Sequence, residues 1–382
     1  MTFGANSVNR KSTYDRSPVT GVAGVLIWRQ GLRARAKQAA RTTVAALASY
    51  AVGSWLGLPQ LVWTVVTALI VLQVSVGATI GAGIDRMAGT LGGAVVGALV
   101  ALAQPQLGLP DWAALIVAVA PLALLAAAYP RLRIAPLTAV IILLAVPPDL
   151  AAPVAALERV VEIALGTAIG LAASLLVFPA RAGNFLRRHS ADALTQIAWL
   201  VEAHLAAALA PAQPLEILDR QAALRRAVAA AEASAAELER ERAAHVGDAV
   251  DGAVVLRSVR RLRSDAAILN RTILQPLPGP LAVRLEAPIR GLAAALGAGL
   301  RGLGGALREG APMPPAADLD AAVAAFEQAW DEAGIEIDAA LRADETAKAA
   351  LALPFAVQTL RRDLVDFALV LAPAKDGADK AS

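Results

Sequence analysis

The sequence contains no cysteine in 382 residues. That excludes disulfides, thiolate metal sites and a cysteine nucleophile, and it leaves the redox compartment undetermined. Histidine is nearly as scarce. His189, His204 and His245 are the only three, and none has metal-ligand spacing. Charge is thin, with Asp, Glu, Lys and Arg making up 18% of the chain against 57% hydrophobic residues. Soluble domains average about 25% charged. Residues 42–84 hold no charged residue and no histidine at all. A soluble domain has difficulty hiding such a run, whereas a bilayer demands it. No Gly-x-x-x-x-Gly-Lys-Ser/Thr phosphate loop occurs, so nothing supports nucleotide-driven chemistry. Neither a nucleophile elbow nor a paired-carboxylate arrangement on a polar scaffold is found. No enzyme, cofactor or metal is therefore expected.

The charge that is present divides the chain in two. Residues 1–180 carry a net charge of +6 and are sparse in charge; residues 181–382 carry −3 and are dense in it. The expected organisation is all-α. A cytoplasmic N-terminal segment (1–38) leads into a six-helix transmembrane domain (39–180). A cytoplasmic helical bundle follows (181–382), with a flexible tail after about 373. Arg10, Lys11 and Arg16 have no apolar run directly behind them, so no cleaved signal peptide is expected.

A span needs about 20 apolar residues. The expected spans are 41–58, 61–76, 87–103, 112–129, 134–146 and 160–178. The fifth is short and flanked by Pro136 and Pro147-Pro148. Basic residues precede the first span (Arg10 through Arg41). They recur at Arg86, at Arg131 and Arg133, and at Arg181, Arg187 and Arg188. The alternate loops hold Asp111, Asp149 and Glu158, with Arg159 as their one positive residue. The positive-inside rule then puts both termini in the cytoplasm. Trp55, Trp63 and Trp112 fall at the outer ends, where an aromatic belt belongs.

The second half is rich in Ala, Leu, Arg and Glu, a helical composition. Helices are expected at 182–208, 215–244, 250–274, 281–307, 319–340 and 348–371. Its mixed charge of negative net sign speaks against nucleic acid as a partner. The cluster Arg257, Arg260, Arg261 and Arg263 is either a solvated face or a contact for anionic lipid headgroups.

Polar residues at membrane depth are the functional candidates. Gln73 and Ser75 either bond between helices or line a pathway with Thr67. Glu158, Glu162, Gly166, Gly170 and Ser174 recur every four residues and share one helix face. Its carboxylates either meet protons or cations, or pair with Arg159. Arg86 is either the anchor of the third span, with Asp85 as a local partner, or a fork for a substrate carboxylate. Gly89, Gly93 and Gly97 form a face that admits a neighbouring backbone, as do Gly166 and Gly170.

Several of these elements, taken in order, resemble a known family. They are Trp63, Thr67, Gln73, Ser75, Gly77 and Thr79, then Arg86 and Gly89-Thr90-x-Gly92-Gly93. Tyr129 to Arg133, Glu158-Arg159, Phe178-Pro179 and the late segment LPFAVQTLRRDLVDFA complete the set. Over roughly 33–371 the chain resembles the fusaric acid resistance protein-like family, which includes bacterial aromatic acid exporters. The resemblance implies a six-span unit with a cytoplasmic helical domain in the bacterial inner membrane. Longer members carry the unit twice, so a single unit implies a homodimer, as in the distantly similar plant aluminium-activated malate transporters. It also implies proton-driven export of aromatic carboxylates or other organic anions. Arg86, Arg131 and Arg133 would form the entrance, Thr67, Gln73 and Ser75 the pathway, and Glu158 and Glu162 the proton sites. A passive anion channel on the same fold, and a membrane scaffold whose helical domain binds a partner, are the alternatives.

Overall fold

A computed structural model describes residues 22–145, 151–210, 214–246, 251–273, 275–310, 316–334, 337 and 347–371. Arg10, Lys11, Arg16, Pro147-Pro148, Asp149 and the expected tail lie outside the described residues, as do residues 335–336 and 338–340 of one expected helix. Every described element is helical. The first half contains α1 (Val22–Trp55), α2 (Leu61–Val71), α3 (Val76–Leu107), α4 (Asp111–Ala128), α5 (Ala135–Leu144) and α6 (Ala152–Leu176). The second contains α7 (Ala182–Ala207), α8 (Pro214–Ala243), α9 (Gly252–Thr272), α10 (Gly279–Glu309), α11 (Ala316–Glu332) and α12 (Leu353–Leu371). Short 3-10 turns occupy Pro130–Leu132 and Ala347–Ala352.

The helix ends follow local chemistry. Ser75 opens α3, its hydroxyl accepting from the Ala78 N–H at 3.0 Å. Asp251 caps α9 in the same way through Ala253 and Val254. Gly108 closes α3 at φ 60°, a left-handed conformation that favours glycine.

Four expected boundaries are corrected. The first helix begins at Val22 rather than 41, the second span ends at Val71 rather than 76, the third begins at Val76 rather than 87, and the sixth begins at Ala152 rather than 160. In each of the last two a charged pair, Asp85-Arg86 or Glu158-Arg159, reads as a loop in hydropathy yet continues the helix. Helices α3, α4 and α6 are long and apolar enough to cross a membrane. By contrast, α2 and α5 have 11 and 10 residues. At 1.5 Å per residue they reach about 15 Å, half of a roughly 30 Å hydrocarbon core.

These half-length helices begin at one depth. Helices α3 and α6 run antiparallel, with Gly83 against Thr167: a Cβ built on Gly83 would lie 2.9 Å from Thr167 Cγ2. Moving from 83 to 88 and from 167 to 162 brings Ala88 opposite Glu162. The α2 N-cap, Gln60, bonds Glu162, and Ile134, the α5 N-cap, packs on Gly89. Both N-termini therefore open at the middle of the α3–α6 pair.

The second half closes around one apolar core running from Ala182 to Phe367, with Leu194, Ile197, Leu262, Leu285, Phe326 and Phe367 deep inside. Two titratable groups are trapped at its edge. His204 is 5% exposed, and neither ring nitrogen has a hydrogen-bond partner. Burial pushes its pKa down to about 4. Asp265 is pushed up to about 6, first by burial and then by the neighbouring Asp363 carboxyl, against the pull of Arg362 and Arg261.

The two groups respond oppositely to acid. The His204 contribution is present above pH 6.5 and is lost as pH falls towards 4, because only the unfolded chain takes up the proton. The Asp265 contribution is present below pH 3.8 and is lost as pH rises through 6. His204→Leu should shrink the loss of stability between pH 7 and 4.5 by about 2 kcal/mol. Thermal unfolding of the detergent-solubilised protein by circular dichroism reads this. An unchanged pH dependence would show that His204 is not held neutral.

Candidate functional site

The middle of the α3–α6 pair is polar on its inner side. Arg159, on the second turn of α6, is 4% exposed, and Glu162, one turn further, is 2% exposed. Arg159 Nη1 donates to Glu162 Oε2 at 3.2 Å, and Nη2 donates to Gln60 Oε1 at 2.8 Å. The Gln60 backbone N–H donates to Glu162 Oε1 at 2.9 Å. Trp63 Nε1 donates to Gln60 Oε1 at 3.1 Å. The Trp63 ring lies under the Arg159 guanidinium at 4.5 Å, within cation–π range. The α2 N-terminus is thus tied to α6 by a closed network of four residues.

Arg86 lies nearby on α3. It is 5% exposed, and its Nε has no hydrogen-bond partner. Among the described residues it makes no ion pair. Asp85, its expected partner, faces away and lies 3.8 Å from Arg131. Around Arg86 and Arg159 the hydroxyls of Thr64, Thr67, Thr90 and Thr167 are buried without hydrogen-bond partners. This seam between α2, α3 and α6 therefore holds two arginines against one glutamate, with four uncommitted hydroxyls. Such a set is costly in an apolar surround unless an anion or water completes it. The α2 and α5 N-termini add positive partial charge at the same depth.

Of the residues singled out from sequence, Thr67, Arg86 and Glu162 come together here. Glu158 is half-buried one turn outward. Gln73 and Ser75 stand apart, in the break between α2 and α3. The Gln73 side chain donates to Ile70 O at 2.8 Å. The Ser75 hydroxyl is spent on the helix cap and on Glu237 Oε2 of α8, at 2.6 Å. Arg131 and Arg133 are exposed at the α4–α5 turn. Trp63, expected in an interfacial belt, is the platform under Arg159.

Arg159 was legible as a pairing partner for the glutamates and as part of the Glu158-Arg159 element, without a site role of its own. Gln60 was hidden in what reads as a turn, Thr64 and Thr167 carried no motif, and Thr90 stood in the glycine motif without a site role. The signal that was available is spacing: Arg159 stands three residues before Glu162, one helical turn.

The glycines sit against backbone. A Cβ on Gly93 would lie 2.3 Å from the Ala135 carbonyl oxygen, and one on Gly97 would lie 3.0 Å from Ala139 Cα. On Gly89 it would meet Ile134 at 3.0 Å. Gly166 and Gly170 meet the Thr64 and Ala68 carbonyls at 2.4 and 3.0 Å.

A family model described as the fusaric acid resistance protein family matches residues 35–376. The chain belongs to the fusaric acid resistance protein family. No curated protein matches it. Members of this family are membrane transporters acting in efflux rather than enzymes. The chain is accordingly a membrane transport protein, and the seam is where its half-length helices meet the buried charge.

Gly93→Leu should separate α5 from α3 and cut folded yield at least severalfold. Gly291→Ala, at an open helical site with nothing within 4 Å, should stabilise by about 0.5 kcal/mol. Fluorescence-detected size exclusion on both variants checks the contrast. Equal yields would mean that the Gly93 face packs on no backbone.

Proposed function

We propose that the protein is an inner-membrane secondary transporter that exports aromatic or other organic carboxylic acids, driven by proton entry. The observation carrying this reading is Arg86, a buried arginine without a counter-ion, beside Arg159 and between two half-helix N-termini. A planar guanidinium in a low-dielectric seam suits a carboxylate, which it binds bidentately. Discontinuous helices with N-termini aimed at an anion are a recurrent device of secondary transporters. The threonine hydroxyls supply further polar contacts, and the exposed Arg131 and Arg133 raise the local anion concentration.

In this reading residues 39–180 lie in the membrane, with 1–38 and 181–382 on the cytoplasmic side, and two copies form the working unit. Glu162 is the proton site, since it is the fully buried carboxylate of the seam, and Glu158 feeds it from the outer end. A passive organic-anion channel is the second reading. It is favoured by the tight engagement of Glu162 with Arg159 and the Gln60 N–H, which suits a permanent ion pair.

Uptake of radiolabelled benzoate into inverted vesicles under an imposed pH gradient tests the proposal. Arg86→Gln should lower Vmax/KM on the order of tenfold or more, with Arg86→Lys intermediate. Transport unaffected by Arg86→Gln would overturn the anion site. Glu162→Gln should abolish the dependence on the gradient. Anion currents in planar bilayers that persist without a gradient would decide for the channel.

A further inference from the structure

At the foot of the first half, two chain breaks lie side by side. One joins α2 to α3 through residues 72–75, and the other joins α6 to α7 through residues 177–181. They are stitched by the Val76 N–H donating to Ala180 O at 3.1 Å. Arg41 of α1, 2% exposed, serves the carbonyl side of both breaks. It donates to Val177 O at 3.0 Å, to Val74 O at 3.2 Å and also to Phe178 O.

Glu241 of α8, 0% exposed, serves the amide side. Its Oε1 accepts from the Gly77 N–H at 2.8 Å and from the Ala182 N–H at 3.0 Å. One carboxylate oxygen thus caps the first turns of α3 and α7 together. Glu237, a turn earlier on α8, accepts from the Ser75 hydroxyl at 2.6 Å. Its backbone carbonyl runs so close to Gly77 that a Cβ there would lie 2.2 Å away.

We infer that Glu241 is a positioning residue for Arg86: helix α8 of the second half sets the axial and rotational register of α3, and through it the place of the buried arginine. Gly77 and Arg86 share one unbroken helix and are separated by about 14 Å of rise. A helix moves as a body, so its first turn decides where Arg86 points. A slip of one residue at the start turns Arg86 by about 100° about the axis, out of the seam. One acceptor oxygen bonded to the first turns of two helices resists that slip, because a slip would leave both buried amides unpaired. Glu241→Gln keeps an oxygen in place and loses only charge. Glu241→Leu strips the cap from both helices. The transport consequence rests on the anion-export reading above, whereas the structural one does not.

The absence of native cysteine makes the test clean. Thr90→Cys places a single thiol one turn above Arg86, and its modification by a maleimide is timed in native membranes. Adding Glu241→Leu should change the labelling rate by roughly fivefold or more, while Glu241→Gln stays within about twofold of the parent. In the cysteine-free background, Glu241→Leu should raise the KM for benzoate by a similar factor, with Glu241→Gln restoring it. Should Glu241→Leu fail to fold, Gly77→Ala replaces it. That variant presses on the Glu237 carbonyl, leaves Glu241 in place, and should shift labelling likewise. Labelling that is indifferent to both variants overturns the inference. Labelling that responds in a protein showing no benzoate transport upholds it and removes the anion-export reading instead.

Discussion

An apolar surround leaves no water for a helix end, so every terminal N–H and carbonyl must find a partner within the protein. The first half of this chain is organised by that constraint. It has several helix ends where a simple bundle would have none, because α2 and α5 stop halfway along their neighbours. Several of the buried ends have a named answer. Arg41 takes the carbonyls below, Glu241 takes the amides beside it, and Glu162 takes the backbone N–H of Gln60. Without these three side chains the breaks at both ends of α2 and between α6 and α7 would leave buried backbone groups unpaired. With them, irregular backbone becomes affordable inside the protein, and a polar seam can open at the depth where the half-helices begin.

The charge distribution follows the same logic one step further. Arg159 is engaged through both terminal nitrogens, by Glu162 and Gln60, and through its face by the Trp63 ring, with only its Nε unpaired, so its position is well determined. Arg86 has no such set of partners. Within one seam the chain therefore holds one cation rigidly and leaves another uncommitted. A group that is fixed defines a surface, while a group that lacks a partner defines an affinity. This asymmetry, rather than the mere number of arginines, distinguishes a recognition element from a structural ion pair.

Legibility from sequence differs sharply between the two halves. The second half was read nearly helix by helix, because Pro, Gly and capping residues punctuate it and its charges stay solvated. Ala182, Gly279 and Leu371 fall within a few residues of where the sequence puts those ends. In the first half hydropathy located the apolar helices but misplaced four boundaries. The reason is physical. Hydropathy treats a charge as a sign of water, whereas Arg86, Arg159 and Glu162 are buried among helices. Asp85-Arg86 therefore read as a loop when it is the middle of α3. Gln73 and Ser75 were singled out for polarity at depth, yet their polarity is consumed in a helix break. The seam itself was half visible: Thr67, Arg86 and Glu162 were named, while Gln60 and the other threonines needed three-dimensional proximity to be recognised.

Helix α3 touches three neighbours through glycine. Gly77 and Gly81 meet α8, Gly83 meets α6, and Gly89, Gly93 and Gly97 meet the α5 strip. Side chains normally interlock between helices as knobs in holes and hold them against sliding as well as against separation. A glycine face gives closeness without interlock. Along these faces helix α3 is therefore gripped tightly across its width without interlock along its length, like a shaft in a close-fitting sleeve. What fixes the height of that shaft is its bonded lower end, where Gly77 and Val76 are tied to Glu241 and Ala180, so the place of Arg86 in the seam is decided at one end of the helix.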